Sequence, residues 1–285
     1  MLEKSTDIKE EVYYQRFEPF LRFMHLIVII SFISLAFTGM IIKFSGIGLF
    51  QVLSQIMGGY EVTGFIHRVA AFFTLMYLLA HIGFLMYNKK TKKRSFKYMF
   101  SGENSMVPSK RDLVEFWQTM KWFFRVGDRP QYGRWTYWEK FDYFAVFWGV
   151  IIIGLSGLIL WFPEFFTSLG IPGPAVNIAT IIHSDEALLA TGFIFTIHFF
   201  NTHFRPDKFP MDMVIFTGCV PLEEFKLDRP RQYKYLVETG QLEKYLVGPP
   251  SPMFVRISKI FGFTALVFGL FLVLLIIYSM IFIYR

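Results

Sequence analysis

The stretch HSDEALLATGFIFTIHFFNTH, residues 183–203, lies within one of the longest apolar regions of the chain. Three histidines and two adjacent acids are costly in a segment that is apolar enough to sit in lipid, and intramembrane groups of this kind usually have a function. What they do depends on the partners that the rest of the chain offers them. Two features therefore decide the fold: whether the chain spans a membrane, and where its other histidines lie.

The composition is that of a membrane protein. Of 285 residues, 54% are hydrophobic and 20% are aromatic, which is more than a soluble domain normally carries. Five stretches reach the roughly 20 apolar residues that a spanning helix needs. They cover about residues 20–44, 62–87, 143–161, 176–204 and 257–284. The sequence predicts an all-α integral membrane bundle of five transmembrane helices.

The charged residues collect between these stretches and divide the chain. We expect a cytoplasmic segment at 1–19, a four-helix core at 20–204 with a basic loop at 88–142, a second loop at 205–256 and a fifth helix at 257–285. Both of these loops are rich in Lys and Arg, whereas the other two connections contain neither. The positive-inside rule then places the amino terminus and both basic loops in the cytoplasm and the carboxyl terminus outside.

This topology gives each histidine a depth. The second and fourth spans run inwards, so His67 and His183 lie near the outer face, and His81 and His198 lie near the inner face. The first span runs outwards and brings His25 to the inner level. At about 100° per residue, the two histidines of the second span differ by a net turn of roughly 40° and those of the fourth by roughly 60°. Each pair shares one helix face, and the histidines form two layers.

The two layers match the needs of two haem groups. They are roughly 21 to 22 Å apart at the α-helical rise, which leaves room for two macrocycles with their edges close. Two imidazoles from separate helices at one level are what a six-coordinate b-type haem iron requires. His203 follows His198 by a turn of roughly 140° in an α-helix. We therefore expect its ring to point away from the cofactor that His198 serves.

Four segments carry a resemblance to a known family: RFMHLIVIISFISLAFTGM, GFIHRVAAFFTLMYLLAH, WEKFDYFAVFWGVIIIGLSGLILWFP and HSDEALLATGFIFTIHFF. They resemble the helices of the cytochrome b subunits of membrane-bound formate dehydrogenases and the related hydrogenase and thiosulfate reductase cytochromes. The likeness covers about residues 16–205. It implies a diheme, quinone-linked electron-transfer subunit in the bacterial cytoplasmic membrane. As axial ligands of the haem iron it implies His67 and His183 for the outer haem, and His25 and His198 for the inner haem.

His81 departs from the family pattern, which has no ligand at this position. Two histidines spaced in this way within one helix are similar instead to the cytochrome b of quinol-oxidising bc complexes. His25 and His81 therefore compete for the place opposite His198, and the motif around His25 favours His25. The surplus rings also permit a third haem, for which the spacing gives little support.

The resemblance also implies a quinone, menaquinone or ubiquinone, beside the inner haem at the loop that enters the third helix. In this chain the loop reads GRWTYWEKFDY, residues 133–143, and lacks the small polar and glycine positions expected there. Thr136, Trp138 and His203 are the side chains that we expect near the quinone head group, as hydrogen-bond donors or proton relays. For Trp138 taken alone, interfacial anchoring is the commoner role.

The sequence offers no substrate chemistry of its own. It contains no phosphate-binding loop, nucleophile elbow or zinc motif, so we predict no catalytic residue. The expected partners are membrane lipid, quinone, further copies of the complex and an extracytoplasmic redox subunit, which is an iron–sulfur dehydrogenase, a hydrogenase or a multihaem cytochrome c. Nucleic acid is not among them. The alternative function is a haem-free proton-coupled transporter, which predicts inverted repeats and broken helices; the sequence shows neither.

Overall fold

The computed structural model describes residues 11–91, 95–102 and 104–283, and these are mostly helical. In chain order the elements are β1 (Tyr13–Gln15), α1 (Pro19–Lys43), α2 (Gly48–Ile56), α3 (Tyr60–Thr91), α4 (Phe96–Ser101), α5 (Lys110–Phe123), α6 (Tyr137–Trp161), α7 (Pro163–Ser168), α8 (Pro174–Phe193), α9 (Val214–Thr217), β2 (Cys219–Pro221), α10 (Leu222–Asp228), α11 (Pro230–Glu238), β3 (Leu246–Val247) and α12 (Pro252–Ile283). Two π-helical turns, Ile194–His198 and Phe200–Phe204, extend α8. A 3₁₀ turn, Leu242–Tyr245, precedes β3.

Five of the described helices are long and apolar enough to cross a membrane. They are Pro19–Lys43, Tyr60–Thr91, Tyr137–Trp161, Pro174–Phe204 and Pro252–Phe282. The predicted all-α bundle with five spans is therefore confirmed.

Proline and glycine set where these spans begin. Three spans start at a proline, whose fixed φ suits the first helical position and whose missing N–H costs nothing there. The second span, α3, instead follows Gly58 and Gly59, which have φ of 98° and 96°. Only glycine adopts this left-handed conformation without strain, so this glycine pair separates α2 from α3.

The chain folds as two compact units, and each has its own packing. The span unit comprises the described residues of 23–107, 138–212 and 262–285. Its helices meet through small side chains. A Cβ at Gly269 of α12 would overlap the ring of Phe195 and lie 2.8 Å from Phe199. Phe37 of α1 meets Phe268 of α12 edge-on with ring centroids 5.4 Å apart. The fifth span therefore packs against the first and the fourth.

Five buried hydroxyl groups in the span unit are satisfied by the backbone of their own span. Each donates to the backbone carbonyl four residues earlier, at 2.6 to 2.9 Å. The residues are Thr38, Thr63, Thr191, Ser156 and Ser279. Because a free hydroxyl in hydrocarbon is costly, this back-bonding lets small polar residues lie between membrane helices. The same helices expose many large apolar side chains, which suits contact with lipid.

The loop unit comprises the described residues of 11–22, 108–137 and 213–261. The sequence assigned most of these residues to a terminal segment and two loops, with 20–22 and 257–261 in the first and fifth spans. It did not predict that they fold together. Strands β1, β2 and β3 form an antiparallel sheet in the order β2-β1-β3. The buried core of this unit consists of Tyr14, Val214, Val220, Phe225 and Leu236.

Tyr14 of β1 is the centre of that core. It is fully buried and its ring stacks on Phe225 with centroids 3.7 Å apart. Its hydroxyl accepts a hydrogen bond from Nε2 of Gln232 at 3.1 Å. Burial raises the pKa of Tyr14, so the phenol stays neutral. The strand thus supplies both the largest apolar surface and a polar anchor to the loop unit.

We expect Tyr14→Ala to destabilise the loop unit by about 3 to 5 kcal/mol, the usual cost of deleting a buried aromatic side chain. Hydrogen exchange of the amides of β1 and β2, measured by mass spectrometry, should be faster in this variant than in the unchanged chain. Tyr13→Ala is the matched control, because Tyr13 lies on the other face of the same strand and its hydroxyl bonds only to exposed Glu11 among the contacts described. Equal exchange in both variants would contradict a central role for Tyr14.

Candidate functional site

The first histidine site consists of His67 in α3 and His183 in α8, which face each other across the span unit. Their ring centroids are 6.1 Å apart and the planes meet at 74°. His183 donates from Nδ1 to the carbonyl of Ile153 at 2.9 Å, since a carbonyl can only accept. Nδ1 of His67 lies 2.9 Å from Oγ1 of Thr38.

The hydrogen bonds fix the tautomer of both rings. The hydroxyl proton of Thr38 already goes to the carbonyl of Ser34 at 2.6 Å, so Oγ1 accepts from Nδ1–H of His67. Nδ1–H of His183 is held by Ile153 in the same way. Each ring therefore keeps the lone pair of Nε2, which is the atom that a neutral histidine offers to a metal when its other nitrogen is hydrogen-bonded.

A glycine makes space for each of these rings. A Cβ at Gly39 of α1 would lie 3.3 Å from Cε1 of His67. A Cβ at Gly157 of α6 would lie only 2.9 Å from Cε1 of His183, closer than real Cβ contacts come. Both glycines directly follow a hydroxyl residue, Thr38 and Ser156, and Oγ of Ser156 lies 3.5 Å from Nδ1 of His183. A Thr-Gly dipeptide therefore packs against the ring of His67, and a Ser-Gly dipeptide packs against the ring of His183 in the same way.

The residues of the first histidine site fit an iron-centred group. His67 and His183 would hold such a group through Nε2, and their ring centroids are 6.1 Å apart. A cluster of three or more His, Cys, Asp or Glu side chains suited to a bare metal ion is absent from the described ranges. Two imidazoles on facing helices would suit a macrocycle that supplies the other iron ligands itself.

The second histidine site consists of His25, His198 and His203. His25 of α1 lies within electrostatic range of both other rings. Nδ1 of His198 lies 3.0 Å from Oδ2 of Asp142 in α6. A carboxylate accepts, so His198 donates Nδ1–H and keeps the lone pair on Nε2, as at the first histidine site. Here, however, the acceptor is an anion, and it is buried.

The position of His203 differs from the sequence-based expectation. A rotation of 140° from His198 assumed an α-helix, but both residues lie in π-helical turns. Arg205 donates its backbone N–H to the carbonyl of Phe200 at 3.1 Å, five residues back. In a π-helix, residues five apart stack along the axis, so His203 joins the side of the helix that carries His198. The expectation that its ring points away is wrong for this reason.

Hydroxyl groups support the π-helical turns. Thr196 donates to the carbonyl of Gly192 at 2.6 Å, and Thr202 donates to that of His198 at 2.7 Å. Such bonds satisfy carbonyls that a wider turn leaves short of partners.

His81 has a different environment from the other candidate ligands. Its Nε2 lies 2.8 Å from the hydroxyl of Tyr143, and its ring stacks on Tyr77. The nitrogen that the other rings keep for a metal is therefore engaged by a phenol in His81. The structure brings His25 into electrostatic range of His198.

The residues predicted to surround a quinone separate into two groups. His203 and Trp138 belong to the span unit, where the guanidinium of Arg205 lies 4.8 Å from the ring centroid of Trp138. Nδ1 of His203 and Nε of Arg205 are buried without a hydrogen-bond partner among the described atoms. Thr136 is fully buried in the loop unit.

Of the two acids that follow His183, Asp185 has a partner in the structure. Asp185 accepts from Nζ of Lys43, at the end of α1, at 2.8 Å, and Lys43 also donates to Ser184 at 2.9 Å. Asp185 is exposed, so this pair links two span ends at modest energetic value.

Sequence reasoning missed Thr38, Ser156, Asp142 and Tyr143, which hold the rings. Repetition of a hydroxyl–glycine dipeptide in the first and third spans was a usable signal for the first two. Asp142 could have been found as an acid one turn inside a span, where an unpaired carboxylate would be costly.

One comparison with known proteins matches part of the chain. A family model described as prokaryotic cytochrome b561 matches residues 7–102, which include His25, His67 and His81. His183, His198 and His203 lie outside the matched region. No curated protein matches the sequence.

Proposed function

We propose that the chain is a membrane-embedded diheme cytochrome b, the electron-transfer subunit of a quinone-linked respiratory oxidoreductase. One observation carries the proposal: His67, His183 and His198 each have Nδ1–H held by a fixed acceptor, which leaves Nε2 for iron. A b-type haem bound at each histidine site supplies reversible one-electron transfer. The match to the prokaryotic cytochrome b561 model supports the same class of function.

We assign the axial ligands by these hydrogen bonds and by proximity. His67 and His183 are the proposed ligands of the first histidine site. The close packing of Gly39 against His67 and of Gly157 against His183 supports this assignment. His25 and His198 are the proposed ligands of the second. The engagement of Nε2 of His81 by Tyr143 supports His25 over His81.

The proposed orientation follows the charge distribution of the loops. With the basic loops in the cytoplasm, the first histidine site lies towards the outside and the second towards the inside. An extracytoplasmic redox subunit, such as a dehydrogenase, a hydrogenase or a multihaem cytochrome c, then exchanges electrons at the first site. The membrane is the bacterial cytoplasmic membrane.

The proposed quinone site lies at the second histidine site, and the quinone is menaquinone. His203 supports this, because its buried Nδ1 is available to exchange a proton with a quinone oxygen. Arg205, stacked on Trp138, offers a buried donor next to it. Thr136 remains a prediction from the sequence alone.

A quinol analogue tests this function. In proteoliposomes, a reduced water-soluble menaquinol analogue is expected to reduce the b-type chromophore of the intact chain within a rapid-mixing experiment. His203→Ala is expected to slow this reduction at least about tenfold, the lower end of the effect of removing an acid–base group. Reduction by dithionite should be unchanged.

His81→Ala is the control, since its ring bonds to Tyr143 and takes no part in the proposed proton exchange. A chain that dithionite reduces but the quinol analogue does not would contradict the quinone assignment. Equal quinol rates for His203→Ala and His81→Ala would remove His203 from the site.

Asp142 has a separate expected effect, on the reduction potential. Its carboxylate accepts the hydrogen bond from Nδ1–H of His198. A negative charge at this position makes the imidazole a stronger electron donor to iron and favours the ferric state. Asp142→Asn keeps an acceptor but removes the charge. We expect the midpoint potential of the second histidine site to rise by about 60 mV, a tenfold change in equilibrium constant for one electron.

Spectroelectrochemical titration of the purified chain measures this shift. Thr38→Val is the matched control, because it removes the acceptor of His67 and should move the other potential only. If Asp142→Asn leaves both potentials unchanged, the role of Asp142 is contradicted.

A further inference from the structure

Helix α5, Lys110–Phe123 in the loop unit, has the reverse of the usual surface pattern. Its two acids are buried, with Asp112 8% and Glu115 3% exposed. Its large apolar side chains are exposed, with Leu113 at 65% and Trp117 at 64%. A helix on a water-soluble surface normally buries its apolar side chains and exposes its charges. This inversion needs a reason.

The polar side of α5 has partners within the loop unit. Oδ2 of Asp112 accepts from the backbone N–H and the hydroxyl of Ser109 at 2.6 and 2.7 Å. Oε1 of Glu115 accepts from Arg231 at 2.6 Å. The contact with Arg231 holds the Glu115 side of the helix towards α11, and the apolar side faces outwards.

The exposed apolar residues are contiguous and extend past the helix end. At about 100° per residue, Leu113, Trp117 and Phe124 lie within roughly 40° of one another. Arg125 has φ of 59° and Val126 donates its N–H to the carbonyl of Lys121 at 2.8 Å, which closes the helix with a tight left-handed turn. We call the following set the apolar face; its members are 64% to 75% exposed: Leu113, Trp117, Phe123, Phe124 and Val126.

Most exposed charges around the apolar face are basic; the exception is Asp128, two residues after Val126. Within residues 110–127 the exposed charged side chains are basic, and the two acids of this stretch are the buried ones. Lys110 and Lys121 lie roughly 60° and 80° from Leu113, at the edge of the apolar face. An apolar strip with aromatic residues and a basic edge is the pattern of helices that lie in a membrane surface with anionic headgroups.

The chain itself keeps α5 near a bilayer. It is connected to the span Tyr60–Thr91 on one side and to the span Tyr137–Trp161 on the other. We propose that the apolar face is inserted in the interfacial layer of the membrane, with the basic side chains at its edge bound to anionic lipid headgroups. This holds the loop unit against the membrane surface. It does not rest on the proposed haem sites.

Site-directed spin labelling of the full chain in nanodiscs rich in phosphatidylglycerol tests this. In a Cys219→Ser background, a label is placed by Trp117→Cys on the apolar face. Gln118→Cys is the matched control, since Gln118 is the next residue, is exposed and lies about 100° away. The accessibility of each label to oxygen, which concentrates in lipid, is compared with that to a water-soluble nickel complex.

We expect the label at position 117 to be more accessible to oxygen than to the nickel complex, and the label at position 118 to show the reverse order. Leu113→Cys repeats the measurement on the same face if Trp117→Cys reduces the yield of folded protein. Replacing phosphatidylglycerol by phosphatidylcholine, or Lys110 and Lys121 together by Gln, should shift the label at the apolar face towards nickel access.

Two outcomes would overturn the proposal. High nickel access at both 113 and 117 would show that the face is in water. Protection of these labels from both reagents, with an immobilised spectrum, would show that a protein covers the face instead of lipid.

Discussion

His183→Ala is expected to halve the haem content of the purified chain, from two haems to one. The reason is that the proposed binding of a haem at the first histidine site would use both rings, and no other described histidine lies opposite His67. The remaining haem should keep its potential, because His198 and Asp142 are held by contacts that do not involve His183. The pyridine haemochrome assay per mole of chain measures the ratio.

Two further variants make this result specific. His67→Ala should give the same ratio as His183→Ala, and the double variant should lose no more than either alone. His81→Ala should retain both haems, because its Nε2 bonds to Tyr143. Retention of both haems in His183→Ala, or loss of one in His81→Ala, would contradict the ligand assignment.

Gly157→Val is expected to empty the first histidine site without touching a proposed ligand. Even a Cβ at this position would lie 2.9 Å from Cε1 and 3.1 Å from Nδ1 of His183. The ring would have to move, and its hydrogen bond to the carbonyl of Ile153 would break. The buried Nδ1–H of His183 would then lose its acceptor, and the Nε2 lone pair would no longer be held in one direction. We expect loss of about one haem per chain.

Gly154→Ala is the control for Gly157→Val. It lies one turn earlier in α6, and its Cβ would make an ordinary contact of 3.6 Å with Leu75. Gly157→Ala should fall between the two, with the haem retained but held less tightly on dilution in detergent. Normal haem content in Gly157→Val would show that this glycine does not set the position of His183.

Much of the fold follows from the sequence, because membrane spans are determined by local composition. Each span needs only enough consecutive apolar residues, and the bounds of all five lie within six residues of those that the sequence predicts. The folding of the loop unit could not be predicted in this way. Its core joins Tyr14 to Val220 and Phe225, which are far apart in sequence, and such pairings leave no short periodic pattern.

The histidines illustrate the same limit within the candidate site. The depth of His67 and His183 follows from topology and the helical rise, and the structure brings these two rings together. The direction of His203 depends on a change from α- to π-helical hydrogen bonding after Phe193, which the apolar sequence does not encode visibly. The acceptors Thr38, Ile153 and Asp142 come from neighbouring helices, so only the packing reveals which ring each one holds.

The most direct test of the account is the haem content of the intact chain. The purified, dithionite-reduced protein should show a b-type spectrum, and the pyridine haemochrome assay should give two haems per chain. A protein that binds no haem after expression with sufficient haem supply, or that binds a number other than two, would contradict the account.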